Sequence, residues 1–218
     1  FEALCREARV QRAEGWGQPQ RPSVEHRAWR AEPGAEGRAF LHSPEVLALL
    51  QRLVGEPVLP SPAGTCYTYY DGPGGHMDTH LDRAIDCSFT LILYLEVEWP
   101  ARAEPGPGLE LEVWPPGPLP EPERPPSRRL ATRANLLLVG RGAQVPHRRP
   151  TLAAGERLVA LTACYAPALL RRSLGGDDPR YAQFFSWKHD QNPFGPSPMW
   201  VATDAGRVVA FRTFLRWE

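Results

Sequence analysis

Between Tyr70 and Asp82 the chain reads YDGPGGHMDTHLD, which sets two His-x-Asp units four residues apart: His76-x-Asp78 and His80-x-Asp82. On an extended segment, residues two positions apart project to the same side, so either pair can bring an imidazole nitrogen and a carboxylate oxygen to one metal ion. Both pairs cannot serve the same small ion. The turn DGPGG ends just before His76, which places His76 in or beside the turn and leaves His80 and Asp82 on the strand that follows. Using His76 would also leave His80 and Asp82 crowding the site. The second pair is the expected half-site. His76 and Asp78 are read either as exposed turn residues or as groups that support the metal or face a substrate.

A mononuclear site needs a third protein ligand. His147, in GAQVPHRRP, supplies one from between two strand-like runs, ANLLLVG and RLVALTACYA. Two histidines and one carboxylate on a face of a β-barrel leave open positions on the metal, the ligand set of non-haem iron(II) oxygenases. Arg157 lies ten residues beyond His147, at the start of the next strand, where a guanidinium can grip the distal carboxylate of an anionic co-substrate. Taken singly, a His-x-Asp pair or a strand arginine is more often a solvated surface feature. The order of the whole set along the chain carries the reading. Arg148 and Arg149 directly follow His147 and are candidates for a substrate carboxylate, against the plainer reading of a solvated strand-end pair.

These residues need elements to hold them, and the pattern supplies mostly strands. TCYTYY (65–70), CSFTLILYLEVEW (87–99), LELEVW (109–114), ANLLLVG (134–140) and RLVALTACYA (157–166) are β-rich, and LELEV alternates as a half-buried strand does. Short strands divided by turn signals predict a sandwich or barrel rather than βαβ units. Helices are predicted over 1–13 and from Pro44 to Gly55, the latter with Ser43 as N-cap and an apolar face of Val46, Leu47, Leu50, Leu53 and Val54. The stretch 14–38 reads as loop or an irregular arm, and the proline-rich 115–129 as a surface loop or a lid. A further helix is predicted near 178–188, then a hairpin turning at Asp204-Ala205-Gly206.

Lysine plus arginine equals aspartate plus glutamate at 25 each, so no basic excess points to nucleic acid. The 25 prolines and 19 glycines favour a turn-rich fold over a helical bundle. Cys5, Cys66, Cys87 and Cys164 show no zinc-like spacing, and Cys66 and Cys164 fall in apolar runs where a cysteine behaves as a small hydrophobe. With no visible signal peptide and no apolar run near the ~20 residues of a membrane span, a cytosolic, reducing location is the expectation.

YYDGPGGHMDTHLDRAIDCSFTLILYLE, followed by GPGLELEVW, VPHRR and GERLVALTACY, resembles the iron(II)/2-oxoglutarate-dependent dioxygenases, closest to their prolyl 4-hydroxylase-like branch. The resemblance covers roughly residues 64–166. It implies a mainly β fold with flanking helices, a double-stranded β-helix of the jelly-roll, cupin-like kind. In this reading residues 1–218 form one domain: 1–60 helical support, 64–166 barrel core, 167–218 C-terminal helix and hairpin. His80, Asp82 and His147 would hold iron, and Arg157 the C5 carboxylate of 2-oxoglutarate. Tyr94 matches a tyrosine that assists that arginine, Tyr70 another position that contacts the co-substrate, and Thr90 a weaker candidate for the same pocket. The spacing from Tyr70 and from FTLILYL favours His80/Asp82 over His76/Asp78 as the family's pair. Val159 stands where many members carry serine or threonine two residues after the arginine, and Gly108-Leu109-Glu110-Leu111 matches the family's Gly-Gly-x-Leu strand only in part.

The resemblance implies Fe(II) as the metal, 2-oxoglutarate and O2 as co-substrates, succinate and CO2 as co-products, and ascorbate as a candidate stimulant. Because Asp82 is present, hydroxylation is favoured over halogenation, with desaturation and ring closure open to the same ligands. The expected substrate is a small molecule such as an amino acid or specialised metabolite, for which His76, Asp78 and Arg149 are candidate contacts. Neither nucleic acid nor membrane is an expected partner. The alternatives are a peptidyl hydroxylase of the same family, a cupin-like metal enzyme using His76, His80 and His147 without 2-oxoglutarate, and a ligand-binding barrel.

Overall fold

The computed structural model describes residues 1–17, 25–84, 87–101, 104–168, 191, 199–204 and 207–213. Its helices are α1 (Glu2–Gln11), α2 (Ala35–Leu41) and α3 (Pro44–Val54). α3 starts and stops as its sequence dictates. The Ser43 hydroxyl accepts from the Val46 N–H at 3.3 Å, Pro44 fills the first turn, and Gly55 closes the helix in the left-handed region at φ 83°.

The strands in chain order are β1 (Trp16–Gly17), β2 (His26–Arg27), β3 (Trp29–Ala31), β4 (Val58–Tyr70), β5 (His76–His80), β6 (Phe89–Glu98), β7 (Glu110–Val113), β8 (Arg128–Ala131), β9 (Leu137–Gly140), β10 (His147–Arg149) and β11 (Arg157–Pro167). They form a six-stranded sheet, β1-β3-β4-β11-β6-β9, and a five-stranded sheet, β2-β5-β10-β7-β8. Arg149 of β10 reaches Tyr94 of β6 across the gap, so the sheets face one another, with helices packed outside. This is the jelly-roll architecture the sequence leads one to expect. β12 (Met199–Asp204) and β13 (Arg207–Thr213) pair as the expected C-terminal hairpin. The helix expected near 178–188 lies outside the described residues.

Strand alternation divides the large sheet into two faces. Tyr67 and Tyr69 of β4, Leu91, Leu93 and Leu95 of β6, and Val159, Leu161, Ala163 and Tyr165 of β11 turn outward. There they pack against Leu4 and Ala8 of α1, Leu41 of α2, and Val46 and Leu50 of α3. The intervening residues Thr68, Tyr70, Thr90, Ile92, Tyr94, Leu158, Ala160 and Thr162 turn inward and line a cavity. A one-residue step along these strands thus separates packing from chemistry.

Three expectations need correction. The 14–38 stretch is not merely loop: β1, β2 and β3 add edge strands to both sheets, and α2 begins within it. These strands are two or three residues long, so no period could be seen, and only the waiting edges of β4 and β5 hold them extended. β4 begins at Val58 rather than at residue 65, because β11 pairs with it as far as Pro167↔Val58 and overrides the prolines and Gly64 between. Finally, Cys164 is not a free buried thiol. It is bonded to Cys87, 77 residues away in sequence, a cross-link at odds with the expectation of a reduced chain. Cys5 and Cys66 remain free thiols. Of the 115–129 stretch, residues 115–127 are a largely exposed connection from β7 to β8 and 128–129 begin β8. The connection is tied by the Trp114 indole donating to the Arg124 carbonyl at 3.0 Å, and none of the stretch lines the cavity. Among the described residues, no helix is long and apolar enough to cross a membrane.

Candidate metal centre

β5 and β10 are antiparallel neighbours, and their register sets His147 opposite His80. The two imidazoles lie 4.3 Å apart, centroid to centroid, and tilt by 54°. Asp82, just past the end of β5, brings its Oδ1 to 3.6 Å from His80 Nε2. One ligand atom from each of His80, Asp82 and His147 falls within 4.8 Å of the others, the only such group of histidine, cysteine and acidic side chains found among the described residues. Each histidine is tethered by its other nitrogen: Nδ1 of His80 to the Asp78 carbonyl at 2.8 Å, and Nδ1 of His147 to the Val145 carbonyl at 2.9 Å. A carbonyl only accepts, so Nδ1 carries the proton in both rings and Nε2 offers a bare lone pair. The donor set suits a divalent first-row metal with open positions, Fe(II) among them.

Protonation is set for binding. Burial, together with the charge of neighbouring His80, pushes His147 below its ordinary value, which favours the neutral imidazole. Burial alone would push Asp82 up. The neighbouring imidazoles of His80 and His147 and the Thr90 hydroxyl overcome it and hold the carboxyl below its usual range. Thr90 donates to Asp82 Oδ2, so its hydroxyl is engaged in holding a candidate ligand rather than free for a co-substrate. Gly142 makes the space: a Cβ there would lie 1.9 Å from Asp82 Oδ2 and 2.4 Å from Thr90 Oγ1, while its carbonyl accepts from the Asp82 N–H at 3.0 Å.

The group opens into a cavity of about 270 Å³ between the sheets. Arg149 also lines it, two residues beyond His147 and on the same face of β10, only 3% exposed. Arg149 donates to the Gly108 and Glu110 carbonyls at 3.0 and 3.3 Å and to the Tyr94 hydroxyl at 2.7 Å. Its guanidinium also sits over the rings of Tyr70 and Tyr94, at 5.7 and 5.4 Å from their centroids. Among the described residues no carboxylate pairs with it. A buried guanidinium without a counter-charge is a site prepared for an anion.

Arg157 is elsewhere. Its position puts it on the outer face with Val159 and Leu161, where it pairs with Asp71 at 3.2 Å, Glu96 at 3.1 Å and Glu98 at 3.5 Å. The ten-residue spacing locates β11 correctly but falls on the wrong parity, and Leu158 takes the inward place beside it. Tyr94 and Tyr70 do line the cavity, with Tyr94 assisting Arg149 rather than Arg157. His76 and Asp78 do not line it. The His76 Nε2 lies 3.7 Å from Glu25, and the Asp78 backbone N–H donates to the Glu25 carbonyl at 2.9 Å, so the first His-x-Asp pair moors the N-terminal arm. Arg148, between the two inward residues of β10, pairs with buried Glu112 and lies over Trp114.

Sequence reasoning missed His26, Arg30 and Gly142. Gly142 stands in a short turn before β10 and has no motif of its own. His26 and Arg30 sit in the arm that reads as loop, yet both line the cavity.

The jelly-roll resembles solved structures. A prolyl-4-hydroxylase from Pseudomonas putida aligns over 76% of this chain and 84% of its own, at 23% identity and a TM-score of 0.51. An oxidoreductase of the 2OG-Fe(II) oxygenase family from Burkholderia pseudomallei aligns over 72% of this chain and 76% of its own, at 18% identity and a TM-score of 0.49. At 23% identity the first likeness is one of fold. No protein-family model matches the chain, and no curated protein sequence does.

Proposed function

We propose that this chain is an Fe(II)- and 2-oxoglutarate-dependent oxygenase, a single domain over residues 1–218 that hydroxylates a C–H bond of a small molecule. One observation carries the reading: a two-histidine, one-carboxylate group and a buried arginine without a counter-charge share one cavity. A dicarboxylate with a keto group beside one end fits that pairing, one end toward the metal and the other on Arg149. When bound, Fe(II) and 2-oxoglutarate would supply the oxidising power, O2 being reduced as the co-substrate is decarboxylated to succinate and CO2.

The chain's own residues hold and orient. His80, Asp82 and His147 would grip one side of the metal and leave the rest open. Thr90 and the space at Gly142 keep the Asp82 carboxylate aimed. Arg149 and Tyr94 take the distal carboxylate and fix the co-substrate's orientation, while Leu111, Leu158 and Ala160 present dry walls. The cavity volume of about 270 Å³ sits just below the ~300–1,000 Å³ usual for ligand pockets, which supports a small substrate over a folded protein.

The test is anaerobic. Fe(II) and 2-oxoglutarate added to the protein should produce the weak visible charge-transfer band of the chelate, and His80→Ala should abolish it. Well-folded protein that gives no band overturns the reading. Screening amino acids, related metabolites and proline-containing peptides for substrate-stimulated succinate release then separates the small-molecule from the peptidyl assignment.

A further inference from the structure

His26 is a buried histidine that the metal centre does not use. It lies on β2 and brings Nε2 to 3.0 Å from the Tyr70 hydroxyl, while Arg30 of β3 brings NH2 to 2.8 Å from its Nδ1. The contact with Arg30 fixes which nitrogen of the His26 ring carries the proton. A guanidinium has donors and no acceptor, so Arg30 donates and Nδ1 accepts. His26 is then neutral with its proton on Nε2, and Nε2–H donates to the Tyr70 oxygen. The phenol has a single hydrogen, which can no longer point at His26. Burial pushes the Tyr70 hydroxyl up to about 12, with Arg149 and Arg30 pulling the other way, so that hydrogen is present at neutral pH. Tyr94 is fixed in the same sense, its oxygen accepting from Arg149. Beside Arg149 the cavity thus presents the guanidinium together with two phenol O–H groups whose hydrogens are free to donate, a surface that suits a carboxylate.

We propose that His26 and Arg30 are positioning residues for this carboxylate subsite: Arg30 sets the tautomer of His26, and His26 turns the Tyr70 hydroxyl into an oriented donor toward the bound anion. For the identity of that anion, 2-oxoglutarate, the proposal rests on the function proposed above. The tautomer does not depend on it. The consequence is that the N-terminal arm, which supplies no metal ligand, sets how tightly and how selectively the co-substrate is held.

Two measurements test it. Side-chain 15N–1H correlation on the metal-free protein reads the tautomer directly. His26 should be neutral and protonated at Nε2, and Arg30→Gln should lose that single pattern. A cationic or Nδ1-protonated His26 overturns the relay whatever the cavity binds. Calorimetric titration of 2-oxoglutarate into Mn(II)-loaded protein then reads the consequence without turnover. His26→Phe and Tyr70→Phe should each weaken binding roughly tenfold, the worth of one oriented hydrogen bond to a charged group. The double variant should be no weaker than Tyr70→Phe alone, and His26→Gln, which can still accept at one atom and donate at the other, should recover most of the affinity. Additive losses, equal losses in His26→Gln and His26→Phe, or an unchanged affinity in a His26→Phe protein that still melts cooperatively overturn the proposal. Wild-type protein that binds Mn(II) but no 2-oxoglutarate defeats the co-substrate reading instead, and the tautomer result still decides the relay.

Discussion

The two faces of the six-stranded sheet are built from the same strands and do opposite work. On the outer face Leu91, Leu93, Val159, Leu161 and Tyr165 meet three helices, and the side chains are apolar or satisfied, as where the Tyr165 hydroxyl donates to the Leu41 carbonyl at 2.9 Å. On the inner face Thr90, Tyr94, Tyr70 and Thr162 hold polar atoms toward a cavity that also contains His147 and Arg149. The two arginines show the same contrast. Arg157 is half-exposed and surrounded by three carboxylates, whereas Arg149 is buried among carbonyls and phenols. A guanidinium among carboxylates is already neutralised and has little left to offer a ligand; one among neutral acceptors keeps its charge for an incoming anion.

That contrast can be broken in several places. The largest effect expected is from the Cys87–Cys164 cross-link, which closes a loop spanning 77 residues. Reducing it, or replacing both cysteines with serine, should cost about 4 kcal/mol through the freed unfolded chain, read as a lower denaturant midpoint. Next, Leu161→Ala on the outer face should lose about 3 kcal/mol of stability with ligand affinity unchanged, because a fully buried leucine leaves a hole. Thr162→Ala, one residue on, should do the reverse, with stability within about 1 kcal/mol and altered ligand binding. If both variants behave alike, the division into two faces fails.

The arginines come third. Arg149→Ala should weaken 2-oxoglutarate binding roughly a hundredfold while Arg157→Ala changes it less than about threefold, measured by the anaerobic charge-transfer band. The opposite ranking would restore Arg157 as the anchor. Gly142→Ala should weaken metal binding about tenfold in a protein that still folds, since the new methyl displaces the Asp82 carboxylate.

The smallest effect is on pH. His147 has a lowered value in the fold against 6.5 outside it, so the folded state binds fewer protons in the window below 6.5. The stability of metal-free protein is therefore present above that value and is lost as pH falls through the folded one. Thermal melts at about pH 7.5 and about pH 5.5 should show the decline, and His147→Gln should flatten it.

Much of this was legible from local pattern. α3 could be read to the residue because its cap, its first-turn proline and its terminal glycine are local devices. β6 and β11 announced themselves as long β-rich runs, and the His80, Asp82 and His147 group followed from spacing on either side of them. The arm was not legible. β2 and β3 exist because neighbouring strands offer unpaired edges, and no property of residues 26–31 alone says so.

The two His-x-Asp pairs end in different places, one in a candidate metal half-site and the other mooring the arm. Residue types and spacings along the chain were enough to say that a β-barrel would carry two histidines, an aspartate and an arginine to one place. Which arginine arrives was settled only by the tertiary structure. Strand parity is a period of two, and one residue of register or one bulge, such as that at Leu95 where β6 passes Val159 and Ala160 of β11, exchanges the faces. The same holds for His26 and Gly142, whose parts in the cavity depend on partners 40 residues or more away along the chain, as His26 is 44 from Tyr70. Local sequence specifies which elements form and which chemistry they carry; long-range pairing decides which side chains point at one another.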